Sequence, residues 1–220
     1  MTIRHHLSDQ LLMAYAAGDL PEAFNLVVAT HVSLCDECRA QLATFEVVGG
    51  AVLDGCDVAP MSDDSLTACF ARIDALPNTP VTARITARAP RKRTGLFPAP
   101  LAEYVGGDLD RVKWRSLGGG VRQAILPTAK GASARLLHIP AGQAVPDHGH
   151  RGLELTLVLQ GAFRDEADRF GPGDVEIADQ ATEHTPIAEM GPDCICLAAT
   201  DAPLRFNAII PRLAQPFFRI

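Results

Sequence analysis

The sequence predicts two domains of different class: an all-α N-terminal domain of about four helices and an all-β C-terminal domain. Three observations predict it. Apolar residues recur at helical spacing up to about residue 76, whereas short Val-, Leu- and Ile-rich runs broken by glycine turns follow residue 101. Charge divides the chain in the same way. Residues 1–80 hold three basic and eleven acidic side chains, 81–93 hold five basic and no acidic ones, and 94–220 hold twelve basic and fifteen acidic, for net charges of −8, +5 and −3. The seven histidines fall into two groups, at 5, 6 and 31 and at 138, 148, 150 and 184, each near a cysteine pair. The boundaries that follow are a helical domain at 1–85, a Pro/Arg-rich linker at 86–100 and a β domain at 101–220.

The elements follow in order. Ser8 caps a first helix carrying Leu11, Leu12 and Tyr15, which stops near Gly18. Pro21 suits the first turn of a second helix, with Phe24, Val27, Val28 and His31 on one face. A third helix is expected over 36–48 with Leu42 and Phe45, ended by Gly49-Gly50. Ser62 caps a fourth over 62–76, where Leu66, Cys69, Phe70, Ile73 and Leu76 keep the helical period and Pro77 stops it. Pro80, Pro90, Pro98 and Pro100 and the basic strip then mark extended chain. Strands are expected at 112–117, 121–126, 133–140, 153–160, 174–178 and 193–199, and many short strands at near-regular spacing argue for a barrel or sandwich.

Composition narrows the function. With 220 residues and 47% hydrophobic content the chain can bury a sizeable core, although aromatics are only 5%. A net charge of −6, and a helical stretch 1–80 whose only basic side chains are Arg4, Arg39 and Arg72, argue against direct nucleic-acid binding. The N-terminus MTIRHHLSDQ lacks the apolar core of a signal peptide, and no stretch approaches the ~18 apolar residues of a membrane span. A cytoplasmic protein with reduced cysteines is expected, so C-x-x-C points to metal or redox chemistry rather than a disulfide.

The first candidate site is His31-x3-Cys35-x2-Cys38. On a helix these residues fall within one narrow sector, and three converging borderline-soft ligands suit Zn²⁺, which takes four ligands in structural sites. His6 or His5 is the source of the fourth. Such a site would staple the first helix onto the second and third in a unit too small for a large core. No βαβ pattern surrounds the cysteines, which sets aside a thioredoxin-like motif. This arrangement, with His6 upstream, resembles the zinc-binding anti-sigma domain. The resemblance implies helices wrapped around a group IV (extracytoplasmic-function) sigma factor, with helix 62–76 as a major contact. From its pattern alone that helix is equally a fourth core helix.

The second candidate site is Gly142-x5-His148-x-His150-x3-Glu154-x6-Gly161. The even separations put His148, His150 and Glu154 on one side of a continuous strand. Glu154 lies within Leu153-Glu154-Leu155-Thr156-Leu157, where a carboxylate is costly unless paired or bound to a cation. His184 follows the turn Gly171-Pro172-Gly173-Asp174 and returns as a fourth ligand. The segment resembles the first motif of the cupin superfamily at every fixed position, and Pro172, Gly173 and His184 resemble the second. That implies a jelly-roll barrel. Three imidazoles and a carboxylate suit Zn, Mn, Fe or Ni.

Taken together the halves resemble the ChrR-type anti-sigma factors. The resemblance implies zinc in both sites, two per chain, and a 1:1 complex with a group IV sigma factor. It implies inhibition by residues 1–85 and sensing of an oxidative signal such as singlet oxygen by residues 101–220. The rival reading is a metal-dependent cupin enzyme, a dioxygenase or isomerase with a zinc-stabilised helical accessory domain. An enzyme has no need of the His-x3-Cys-x2-Cys module, so no catalytic residue is expected. Cys194 and Cys196, two apart on a strand, read as small buried residues. His5 and His138 are left without a role.

Overall fold

The structure, a computed structural model, describes residues 2–76, 95–146, 148–149, 151–203 and 205–206, with residues 148, 205 and 206 in their backbone. Among the described residues there are five α-helices, α1 (Asp9–Ala17), α2 (Glu22–Val32), α3 (Asp36–Asp54), α4 (Ser65–Asp74) and α5 (Ala99–Val105), and a short 3-10 turn at Leu109–Arg111. Twelve strands follow: β1 (Arg115–Gly118), β2 (Val121–Leu126), β3 (Ser133–Ile139), β4 (His148–Gly149), β5 (Glu154–Gln160), β6 (Phe163–Arg164), β7 (Arg169–Phe170), β8 (Val175–Ala178), β9 (Glu183–His184), β10 (Ile187–Ala188), β11 (Cys194–Thr200) and β12 (Arg205–Phe206).

The six strands expected from apolar runs form one antiparallel sheet in the order β1-β2-β3-β11-β5-β8. The short strands, each of two residues, make two further sheets, β10-β6-β7 and β12-β4-β9. Gly161 closes β5 with φ +69, and a Cβ there would lie 2.7 Å from the Asp193 carbonyl, so only glycine fits this turn.

Ser8 caps α1 by accepting from the Leu11 N–H at 3.4 Å, and Gly18 ends it in the left-handed conformation at φ 76. Three expectations shift. Asp64 rather than Ser62 is the N-cap of α4. Pro21 is the N-cap of α2 rather than its first turn. Gly49-Gly50 does not end α3, which runs on to Asp54. Glycine stops a helix by taking a left-handed conformation, and neither of these has a positive φ. Each costs about 1 kcal/mol relative to alanine but leaves the hydrogen-bond ladder intact. The ladder closes at Gly55, whose N–H donates to the Ala51 and Val52 carbonyls.

By its contacts the chain divides into one compact unit of Met1–Gly49 with Gly95–Ile220, and a second of Gly50–Thr94. In the first unit, α2 lies against β3, β5, β11 and α5. Leu12, Phe24, Val27 and Val28 from the helices share one core with Leu136, Leu155, Leu157, Ile195 and Leu197 from the sheet. The other face of the sheet holds Ile139, Val158, Cys194 and Cys196, packed with Phe163 and Phe170. The large sheet is therefore covered on both faces, which explains why β5 and β11 are buried at nearly every position. The expected linker 86–100 is described only from Gly95. There Phe97 and Leu101 are buried and α5 begins, while 86–94 lie outside the described residues.

In the second unit, α4 has no buried residue. Its Leu66, Phe70 and Ile73, with Leu76 just beyond its end, are all more than half exposed. Four apolar side chains at helical spacing thus line one uncovered face.

Candidate functional site

The α2–α3 junction and the segment before α1 build the first cluster. His31 sits in the last turn of α2, and Cys35 and Cys38 flank the first turn of α3. All three are buried, and the extended chain before α1 brings His6 to them half-buried. His31 Nε2 lies 3.2 Å from Cys38 Sγ, and His6 Nδ1 lies 3.3 Å from Cys35 Sγ and 3.7 Å from Cys38 Sγ. The four candidate ligand atoms fall within 4.8 Å of one another. Each imidazole has a partner on its other nitrogen: Gly173 O at 2.9 Å from His31 Nδ1, and Glu37 Oε2 at 3.4 Å from His6 Nε2. Such partners fix ring orientation in metal sites.

The electrostatics suit a cation. Burial holds His31 down to about 4, so its ring is neutral at neutral pH. Burial and the adjacent Cys35 push the Cys38 thiol up to about 11. Two neighbouring buried thiols resist ionisation unless a metal supplies the compensating charge. The donor set of two sulfurs and two imidazoles is the one zinc takes in closed structural sites.

The barrel interior holds a second cluster. β4 pairs with β9, so the backbone of His148 lies opposite that of His184. The side chain of His148, and His150 altogether, lie outside the described residues. Glu154, at the start of β5, accepts from Thr156 Oγ1 at 3.2 Å, and its charge acts on both His184 and Arg135. Thr156 stands opposite Glu176 in the β5–β8 register, which puts Glu154, Thr156 and Glu176 on the same face.

Asp165 and Glu176 are the residues that sequence reasoning missed. His184 is buried, with Nδ1 3.1 Å from Asp165 Oδ2 and 2.9 Å from Glu176 Oε1. Burial opposes charge on His184, but the hydrogen bond and charge of Glu176, then Asp165, carry it up to about 9. Burial pushes Glu176 up to about 7 against the pull of His184. Asp165 is held down to about 2: burial works against its charge, and hydrogen bonds from the Asp168 backbone and from Glu176 and His184 outweigh it. A signal for Glu176 was present, since it is a carboxylate flanked by Val175 and Ile177 on an apolar strand. Asp165 lies in the acidic turn after β6, with no pattern to single it out.

The remaining residues find structural places. The His5 ring lies tilted against Phe170, 4.4 Å between centroids, and its Nε2 lies 3.1 Å from Asp168 Oδ2. His138 meets Asp193 Oδ2 at 3.2 Å and the edge of Trp114 at 5.8 Å, at the rim of an open cavity of about 560 Å³. Cys194 and Cys196 are buried as free thiols 3.5 Å apart, and their mutual hydrogen bond and burial push Cys196 upward.

A family model described as the ChrR cupin-like domain matches residues 103–202. The curated anti-sigma-E factor ChrR of Cereibacter sphaeroides is 65% identical over 220 residues, all of this chain and all of that protein. The chain belongs to the ChrR family of anti-sigma factors. A crystal structure of Rhodobacter sphaeroides SigE in complex with the anti-sigma ChrR is similar at a TM-score of 0.78 and 61% identity, covering 91% of this chain and 100% of that one. The ChrR family is one of regulators, and the rival reading of a cupin enzyme is set aside. The residues His6, His31, Cys35 and Cys38 fit a zinc anti-sigma factor of this family in both donor type and convergence. No single helix among the described residues is long and apolar enough to cross a membrane.

Proposed function

We propose that this chain binds and inhibits a group IV (extracytoplasmic-function) sigma factor in a 1:1 complex in the cytoplasm, and releases it on an oxidative signal such as singlet oxygen. The observations that carry the reading are its 65% identity over the full chain to a curated ChrR and its similarity, over 91% of the chain, to a ChrR crystallised with SigE. The physical features agree with it. The apolar face of α4 is uncovered within its own unit, and an amphipathic helix of this kind suits a groove on a partner. Residues 1–80, at −8, complement the basic surfaces with which a sigma factor meets DNA, and such complementarity speeds encounter.

Residues 1–85 form the inhibitor, 86–100 the linker and 101–220 the sensor. Zinc at His6, His31, Cys35 and Cys38 ties the segment before α1 to the α2–α3 junction. A second metal, read as zinc, is held by His148, His150, Glu154 and His184, with Asp165 and Glu176 fixing His184 from its Nδ1 side. Bound there, zinc would supply a fixed positive charge and no redox chemistry of its own. The residues around it set its exposure and its hold.

The test is co-expression of the full-length chain with the sigma factor encoded beside it, followed by purification and measurement of metal per chain. A stable 1:1 complex with two zinc ions per anti-sigma chain is expected. Recovery of the chain without the sigma factor overturns the inhibitory role, and one zinc per chain overturns the second site.

A further inference from the structure

The cluster at His31 is completed by a part of the chain 142 residues away. The turn 171–174 is fixed to the barrel through β5: the Gly173 N–H donates to the Val158 carbonyl at 2.8 Å, and the Val158 N–H donates to the Asp174 carbonyl at 3.0 Å. So placed, the turn aims the Gly173 carbonyl at His31 Nδ1, 2.9 Å away. A carbonyl only accepts, so the proton of this neutral ring sits on Nδ1 and Nε2 faces Cys38 as a base. The same turn holds the segment that carries His6. The Arg4 and His5 N–H groups donate to Asp174 Oδ1 at 2.6 and 3.0 Å, and the Val175 N–H donates to the His5 carbonyl at 3.2 Å. Asp174 is buried, and its other oxygen accepts from the Gly171 N–H at 2.8 Å.

We propose that the barrel turn 171–174 is a working part of the N-terminal metal centre, with Asp174 as the positioning residue for His6 and the Gly173 carbonyl as the orienting partner of His31. The proposal rests on the reading of that cluster as a zinc site. The turn then touches His31 directly and holds His6 through its chain neighbour His5. The run is short: β8 leads from Asp174 to Glu176, which grips His184 Nδ1 at 2.9 Å. Residues 173–176 therefore carry contacts to both candidate metal sites, and a shift of His184 reaches His31 through two hydrogen bonds joined by four residues of chain, a route that avoids the linker.

The test uses the full-length protein loaded with Co²⁺. The thiolate-to-cobalt charge-transfer band reports only a site with cysteine ligands, and its decay under EDTA gives the rate of metal loss. Asp174→Asn leaves one carboxamide oxygen where two oxygens accept from three N–H groups, and is expected to speed stripping about 10–100-fold and to shift the band. Asp168→Asn, an exposed contact to the same His5, is expected to leave both unchanged. If Asp174→Asn fails to fold, Asp174→Ser, which keeps one small acceptor, carries the comparison. Wild-type stripping rates in a folded Asp174 variant overturn the proposal. Absence of the band in the wild type overturns the zinc reading beneath it.

Discussion

His31 and His184 meet the same requirement in two different ways. Each is a buried imidazole whose Nδ1 is held by the protein, His31 by a neutral carbonyl and His184 by two carboxylates. The neutral partner leaves His31 depressed, while the anionic pair raises His184. A carboxylate behind a ligating histidine strengthens its basicity, so Glu176→Gln is expected to weaken metal retention in the barrel about 10–100-fold. Chelator competition on the metal not bound to thiolate checks this. Cys35→Ser is expected to lose one zinc per chain and sigma binding together, measured by elemental analysis and pull-down. A variant that loses zinc and keeps full affinity would make the metal incidental to the partner surface. At this scale the sequence was readable where spacing carries the information. His31, Cys35 and Cys38 lie within eight residues and report themselves. The Gly173 carbonyl and Asp165 do not, because a backbone acceptor has no residue type and a loop carboxylate has no period.

Among the elements, the six long strands were legible and the six short ones were not. A strand such as β11 announces itself by seven residues with hardly a polar side chain, buried on both faces. Two-residue strands such as β6 and β9 fall below any window in which alternation can be counted. Helix α3 shows the opposite failure, a stop signal overridden because Gly49 and Gly50 remain helical. Burial separates the two kinds of apolar element in energy as well. Leu157 on β5 is fully buried, so Leu157→Ala is expected to cost about 2–5 kcal/mol, read by denaturant unfolding. Phe70 on α4 is exposed, so Phe70→Ser is expected to change stability by no more than about 0.5 kcal/mol. The same substitution is expected to weaken the sigma complex at least tenfold by titration, since a buried aromatic at an interface carries about 2 kcal/mol or more.

For the whole molecule, sequence composition divides the chain into an acidic helical block, a basic strip and a mixed β-rich block, whereas its contacts group Met1–Gly49 with Gly95–Ile220. Charge and periodicity are local properties and cannot report that Phe24, Val27 and Val28 rest on Leu155 and Leu197. That shared core changes what cutting the chain would do. A protease acting between 77 and 94 would sever one covalent connection while the apolar contacts on both sides stayed intact. The product would be a nicked protein in two pieces, held as a tight non-covalent pair. With a specific protease site placed in 84–93, the cut protein is expected to elute from a sizing column as one species and to part only in denaturant. In a cell, the two halves would thus stay together after the cut, so cleavage of the linker alone would not part sensor from inhibitor.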